Sequence, residues 1–186
     1  MLNAATKLFL YFKEEFEMST NALIGLEEKD GSVKTIYCHF DGYLTWVGRI
    51  LLESYNTEDR VRELLSLGDI SSLGESTEPS MVVSEYGFDY IADKRFQALD
   101  KPTQNMMKGE DHFHTTAYHR DRGEAWDDVK PVTYPSISQI EKQEFTYVFV
   151  PGKGWLVDYP ESVGCGYALK DSGFVPLTHE LINKEK

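Results

Sequence analysis

The chain has 186 residues, 41 % hydrophobic and 13 % aromatic, a composition that suits one globular domain and excludes a wholly disordered polymer. Thirty-one acidic against nineteen basic residues give a net charge of −12, so the surface repels nucleic-acid phosphates and favours basic partners. The apolar run Leu8 to Phe12 is too short to span a membrane, and Cys38 and Cys165 are too few for a disulfide-built fold, so both read as reduced thiols of a cytoplasmic protein.

Residues 1–17 stand apart. Lys13-Glu14-Glu15 can be encoded by a purine-rich ribosome-binding sequence at a suitable distance before Met18, so translation is expected to start there and the leader to be non-native. The alternative is an N-terminal amphipathic helix. Residues 18–186 then form the α+β domain.

Two strand-like runs, 21–28 and 33–40, flank Lys29-Asp30-Gly31-Ser32 and read as a hairpin whose turn needs a positive φ at Gly31. Alternation on the second run puts Ile36, Cys38 and Phe40 on one face, Tyr37 and His39 on the other. Asp41-Gly42 ends it, with Asp41 placed to cap a helix whose apolar stripe is Tyr43, Val47, Ile50, Leu51 and Tyr55. Thr57 caps the next helix, Glu58 and Asp59 supply its acidic first turn, Val61, Leu64 and Leu65 its buried face, and Gly68 its stop.

Between about 76 and 112 Gly, Ser, Pro and Lys interrupt short apolar groups, as in an irregular insertion, with one helix expected from Tyr90 to Leu99. Residues 113–119 read as a strand and 120–128 as a charged loop. The runs at 144–150 and 155–159 flank Pro151-Gly-Lys-Gly154, a second hairpin, and Thr178 starts a closing helix. The order predicts an α+β fold, an antiparallel sheet built from hairpins with two or three helices packed on one face.

His112, His114 and His119 offer a zinc site, since the first two share one face of a strand. His119 falls on the opposite face unless a bulge intervenes, so surface histidines are the simpler reading. That cluster carries the alternative of a metal-dependent, nuclease-like enzyme; otherwise no cofactor is expected and no residue is assigned a catalytic role. A Cys38–His39 dyad fails on geometry, because neighbouring strand residues point to opposite faces. Tyr118, Arg120, Asp121, Arg122 and Glu124 can grip an anionic group or tie an internal ion-pair knot, while Glu85, Tyr86 and Asp89 can present aromatic and acidic anchors to a partner.

The stretches "MSTNALIG" (18–25), "DGSVKTIYCHFDGY" (30–43), "LLESYNTEDRVRELLSLGDISSLGE" (51–75) and "YHRDRGE" (118–124) resemble a group of small proteins of unknown function encoded by bacteriophages and prophages. The likeness covers nearly all of residues 18–75 and one later motif; residues 76–112 depart from the pattern, and no site residues come with it. A phage origin implies an anti-defence protein acting in the infected bacterial host. Its expected partner is a host protein with a basic nucleic-acid-binding surface, most sharply a Cas nuclease, with no direct nucleic-acid or membrane binding. A phage structural or interaction protein is the further alternative.

Overall fold

The computed structural model describes residues 20–163, 166–168 and 173–184. The expectations for residues 1–17 and for Cys165 lie outside the described residues.

The first hairpin forms as its turn chemistry requires. Strands β1 (Ala22–Glu27) and β2 (Val33–Cys38) pair antiparallel from Ala22↔Cys38 to Glu27↔Val33, and Gly31 takes a φ of 84°. Asp30 fixes the turn by accepting from the backbone N–H and hydroxyl of Ser32. Cys38 and Ile36 are buried as alternation predicts, but Phe40 lies beyond the strand and is 45 % exposed.

The chain then bends at Asp41, whose φ is +58°, and Gly42 passes so close to the segment entering β1 that its N–H donates to Thr20 O at 2.8 Å. Asp41 is not the helix cap that its position suggested. Its carboxylate accepts from the Tyr43 hydroxyl at 3.1 Å, and Tyr43 opens the helix with no side-chain cap. A wide π-helical turn, Leu44–Gly48, runs into α1 (Arg49–Ser54); of the expected stripe Val47, Ile50, Leu51 and Tyr55 are buried and Tyr43 is half-buried against the same core. Helix α2 (Glu58–Leu65) starts with the Thr57 hydroxyl accepting from Arg60 N and ends just before Gly68.

After β3 (Ile70–Ser72) the chain is helical where an irregular insertion was expected. Helix α3 (Met81–Tyr86), a 3-10 turn (Tyr90–Ala92), α4 (Lys94–Gln97) and α5 (Lys101–Asp111) follow in order, and Ser80, Asp93 and Asp100 cap the three α-helices. They enclose a small core of Val82, Val83, Tyr90 and Phe96. The expected strand at 113–119 shrinks to β4 (Thr116–Ala117), followed by a π-helical turn (Tyr118–Arg122); the charged loop contains α6 (Trp126–Val129).

Strand β5 (Val132–Tyr134) leads to the second hairpin, β6 (Phe145–Val150) with β7 (Gly154–Asp158), paired antiparallel as expected. Strands β8 (Glu161–Val163) and β9 (Gly166–Ala168) form a separate ribbon. Strand β10 (Val175–Pro176) adds to β7, and α7 (His179–Lys184) begins with Leu181 N donating to the Thr178 hydroxyl.

The main sheet runs β10-β7-β6-β1-β2-β3-β4, with β5 also on β2. It is mostly antiparallel, but its centre is not: β1 and β6 pair parallel, Ala22↔Phe145 to Leu26↔Phe149. Ala22, Ile24 and Leu26 of β1 join Leu44, Val47, Leu51, Val61, Leu64 and Ile182 in the larger core. Leu23, Val33, Val148 and Val150 join Ile140 in a second one. Three large polar rings inside find partners: Tyr147 donates to Gly42 O at 2.8 Å, Tyr55 to Gly74 O at 2.9 Å, and Trp155 Nε1 to Tyr55 O at 2.9 Å.

Candidate functional site

The loop Tyr118 to Glu124 sits at the end of β4, where three separate stretches of the chain meet. Its arginines have different tasks. Arg120 turns inward: Nε and Nη2 grip Asp121 at 2.7 and 2.8 Å, and the remaining donors reach the Thr77 and Thr115 carbonyls. Asp121 in turn accepts from Ala117 N at 2.7 Å. This pair is the internal knot, with no fork left over for an outside anion.

Arg122 turns outward. It pairs with Glu124 at 3.2 Å and lies over the Phe88 ring at 5.1 Å and the Tyr118 ring at 5.9 Å. Phe88 thereby carries the segment holding Glu85, Tyr86 and Asp89 onto this loop. Glu85 and Asp89 are exposed, whereas the Tyr86 ring packs against Phe96 and under Arg95. Tyr86 is therefore part of the small core rather than a free anchor.

Asp69 is a member of this constellation that sequence reasoning missed. It accepts from the Tyr37 backbone N–H at 2.7 Å, and its own carbonyl accepts from Tyr118 N at 3.1 Å. Burial pushes its carboxyl up to about 6; the Tyr37 N–H opposes this and the Glu124 charge adds to it. Tyr37 reaches from the same spot to His39, with its hydroxyl 3.1 Å from Nδ1. Burial also raises the Tyr118 phenol, against the Ser71 hydroxyl and Arg122. The only hint in the sequence was an acid placed between the Gly68 helix stop and the apolar Ile70.

The three histidines do not gather. His112 closes α5 with its ring edge-on to Trp46 at 5.9 Å. His114 Nδ1 contacts the Glu78 carbonyl at 3.1 Å, and His119 Nδ1 contacts the Glu124 carbonyl at 2.7 Å while its ring meets Trp126. Position 112 lies in a helix cap rather than a strand, so the alternation that paired it with His114 does not apply. Among the described residues no three His, Cys, Asp or Glu side chains are grouped to hold a metal ion.

Cys38 is buried, its thiol donates to the Phe40 carbonyl at 3.4 Å, and burial pushes it up to about 12. It is a core residue. Among the described residues no helix is long and apolar enough to cross a membrane.

Fold and site together define a mixed α+β protein with a loop in which two arginine–carboxylate pairs and the Phe88 and Tyr118 rings interlock. In comparisons with protein-family models, curated proteins and solved structures, nothing matches the chain.

Proposed function

We propose that the protein is an acidic, non-enzymatic binder of a basic, nucleic-acid-binding protein surface. In the phage setting that the resemblance implies, it is an anti-defence inhibitor of a host nuclease, most sharply of a Cas effector. Charge carries this reading. The chain has a net charge of −12, and five of its six arginines, Arg60, Arg62, Arg95, Arg120 and Arg122, are engaged in ion pairs with the chain's own carboxylates. Glu75, Glu78, Glu85 and Asp89 have no ion pair among the described residues, so the excess negative charge is available to an approaching cationic groove. Such a groove is built to hold phosphates, and a carboxylate surface competes for the same lysines and arginines.

The test is retention of a purified Cas nuclease on the immobilised protein at about 150 mM and then about 1 M salt, with cleavage assayed alongside. Retention that weakens with salt and a matching loss of cleavage are expected. No retention at either salt overturns the reading for that nuclease, and finding the chain as a component of purified phage particles replaces it with a structural role.

A further inference from the structure

A cleft of about 300 Å3 opens where α1 faces the end of α5. Trp46 and Arg49 line it from the start of the first helix and Glu53 from the next turn. Glu75 enters from the connection after β3, and His112 and Phe113 from the end of α5. The volume is at the lower end of small-ligand sites, room for one long side chain and not for a helix or a nucleic-acid strand. Phe113 is 56 % exposed; one exposed ring is ordinary, but this one shares a concave wall with Trp46 and His112.

The charges in the cleft are unusual for this chain. Arg49 has no ion pair and no ring beneath it among the described residues, unlike the other five arginines. Among the described residues Glu75 has no ion pair, and the only one of Glu53 is a loose contact with His179 at 3.8 Å. Two carboxylates against one guanidinium give the lining an excess of negative charge. A monocation is complementary to that charge, and the rings narrow the choice. Guanidinium is flat, weakly hydrated, stacks on aromatic faces and donates in pairs to carboxylates; an ammonium is a strongly hydrated point charge. The unused fork of Arg49 then needs an acceptor, which a peptide carbonyl next to the incoming side chain supplies.

We infer that this cleft anchors an arginine side chain of a basic protein partner. Its guanidinium meets the Trp46 and Phe113 rings and the Glu53 and Glu75 carboxylates, and Arg49 holds a neighbouring backbone carbonyl. The inference rests on the proposed binding to a basic surface and names where that binding centres. His112, edge-on to Trp46, is a positioning residue for the indole.

The probes are the tripeptide amide N-acetyl-Gly-Arg-Gly-NH2 and its lysine counterpart, followed by the indole N–H signals of the tryptophans in nuclear magnetic resonance. The Trp155 indole, bonded to the Tyr55 carbonyl, is the internal reference. Saturable movement of the Trp46 signal with the arginine peptide is expected, with the lysine peptide about five-fold weaker. The double variant Glu53→Gln/Glu75→Gln, with both side chains at the surface, should weaken the arginine peptide by about ten-fold and leave the Trp155 signal in place. No movement of Trp46 up to about 10 mM peptide, equal binding of the two peptides, or an unaffected double variant each overturns the anchor. A nuclease retained equally by wild type and double variant sinks the anchor and leaves the proposed function standing. Arginine-peptide binding without retention of any basic nuclease does the reverse.

Discussion

The backbone N–H of Tyr37 donates to the side chain of Asp69 at 2.7 Å, at a step of the β2 edge that neither β3 nor β5 covers. Strand β5 pairs with residues 33–35 and β3 with Cys38, so a carboxylate stands in for the missing strand between them. The same carboxylate is held up to about 6, chiefly by burial.

That combination predicts a pH dependence. A carboxyl group with a higher pKa folded than unfolded binds its proton more tightly in the native state. Its stabilisation is full below the unfolded value of about 4 and lost as pH rises through about 6. Asp69→Asn keeps an acceptor for Tyr37 and cannot ionise. It should gain on the wild type between about pH 4 and pH 8, by on the order of 1 kcal/mol once screening of this half-buried group is allowed for. Urea melts of both proteins at the two pH values measure it; a difference in stability that does not change with pH refutes it.

Arg120 should not tolerate lysine. A single ammonium cannot reproduce two bonds to Asp121 together with contacts to the Thr77 and Thr115 carbonyls. Arg120→Lys is expected to cost about 2 kcal/mol, and Asp121→Ala, which leaves the guanidinium unpaired and Ala117 N without its acceptor, about 3 kcal/mol or more. Chemical denaturation of each variant is the check, and a loss under about 0.5 kcal/mol for either would show the knot to be ornamental.

Gly42→Ala is expected to destabilise by more than about 2 kcal/mol, because a Cβ there would stand 2.6 Å from the Asn21 carbonyl oxygen and cannot be relieved by turning a side chain. Thermal melting that drops by only a degree or two would mean that the backbone can shift to admit it.

The Cys38 thiol should be silent. In a Cys165→Ser variant, an aromatic disulfide reagent at about pH 8 is expected to release no colour from the native protein and one equivalent after denaturant is added, since the buried thiol stays protonated. Fast reaction in the native state would contradict the burial of this residue.

The hairpins were legible because their turns announce themselves: the Gly31 and Gly152 conformations are written into the residues, and alternation then fixes which side chains face inward. Helix α2 was legible through Thr57 and Gly68. The parallel β1–β6 pair was not, because Ala22, Ile24 and Leu26 alternate in the same way whichever strand lies alongside, and the partner is 123 positions away. Between Met81 and Asp111 a helix was expected only from Tyr90 to Leu99, where a 3-10 turn and the short α4 stand; α3 and α5 were missed because six and eleven residues are too few for a clear period, although Ser80 and Asp100 stood in capping positions. At the candidate site, the Arg120–Asp121 knot was one of the two readings its residue types allowed. Asp69 was hidden because the value of a carboxylate there depends on a gap in the ladder that only the assembled sheet creates.

The parallel pairing also sets an order of assembly. Each hairpin closes over a few residues, whereas the seam between them joins Ala22 to Phe145. Closing so long a loop costs chain entropy before any contact across it is gained, so the two hairpins are expected to form early and the seam to be the late, rate-limiting union. Until it forms, β1 and β6 each show an unpaired edge rich in buried-type side chains, which makes that interval the one in which two copies of the chain are most prone to stick together.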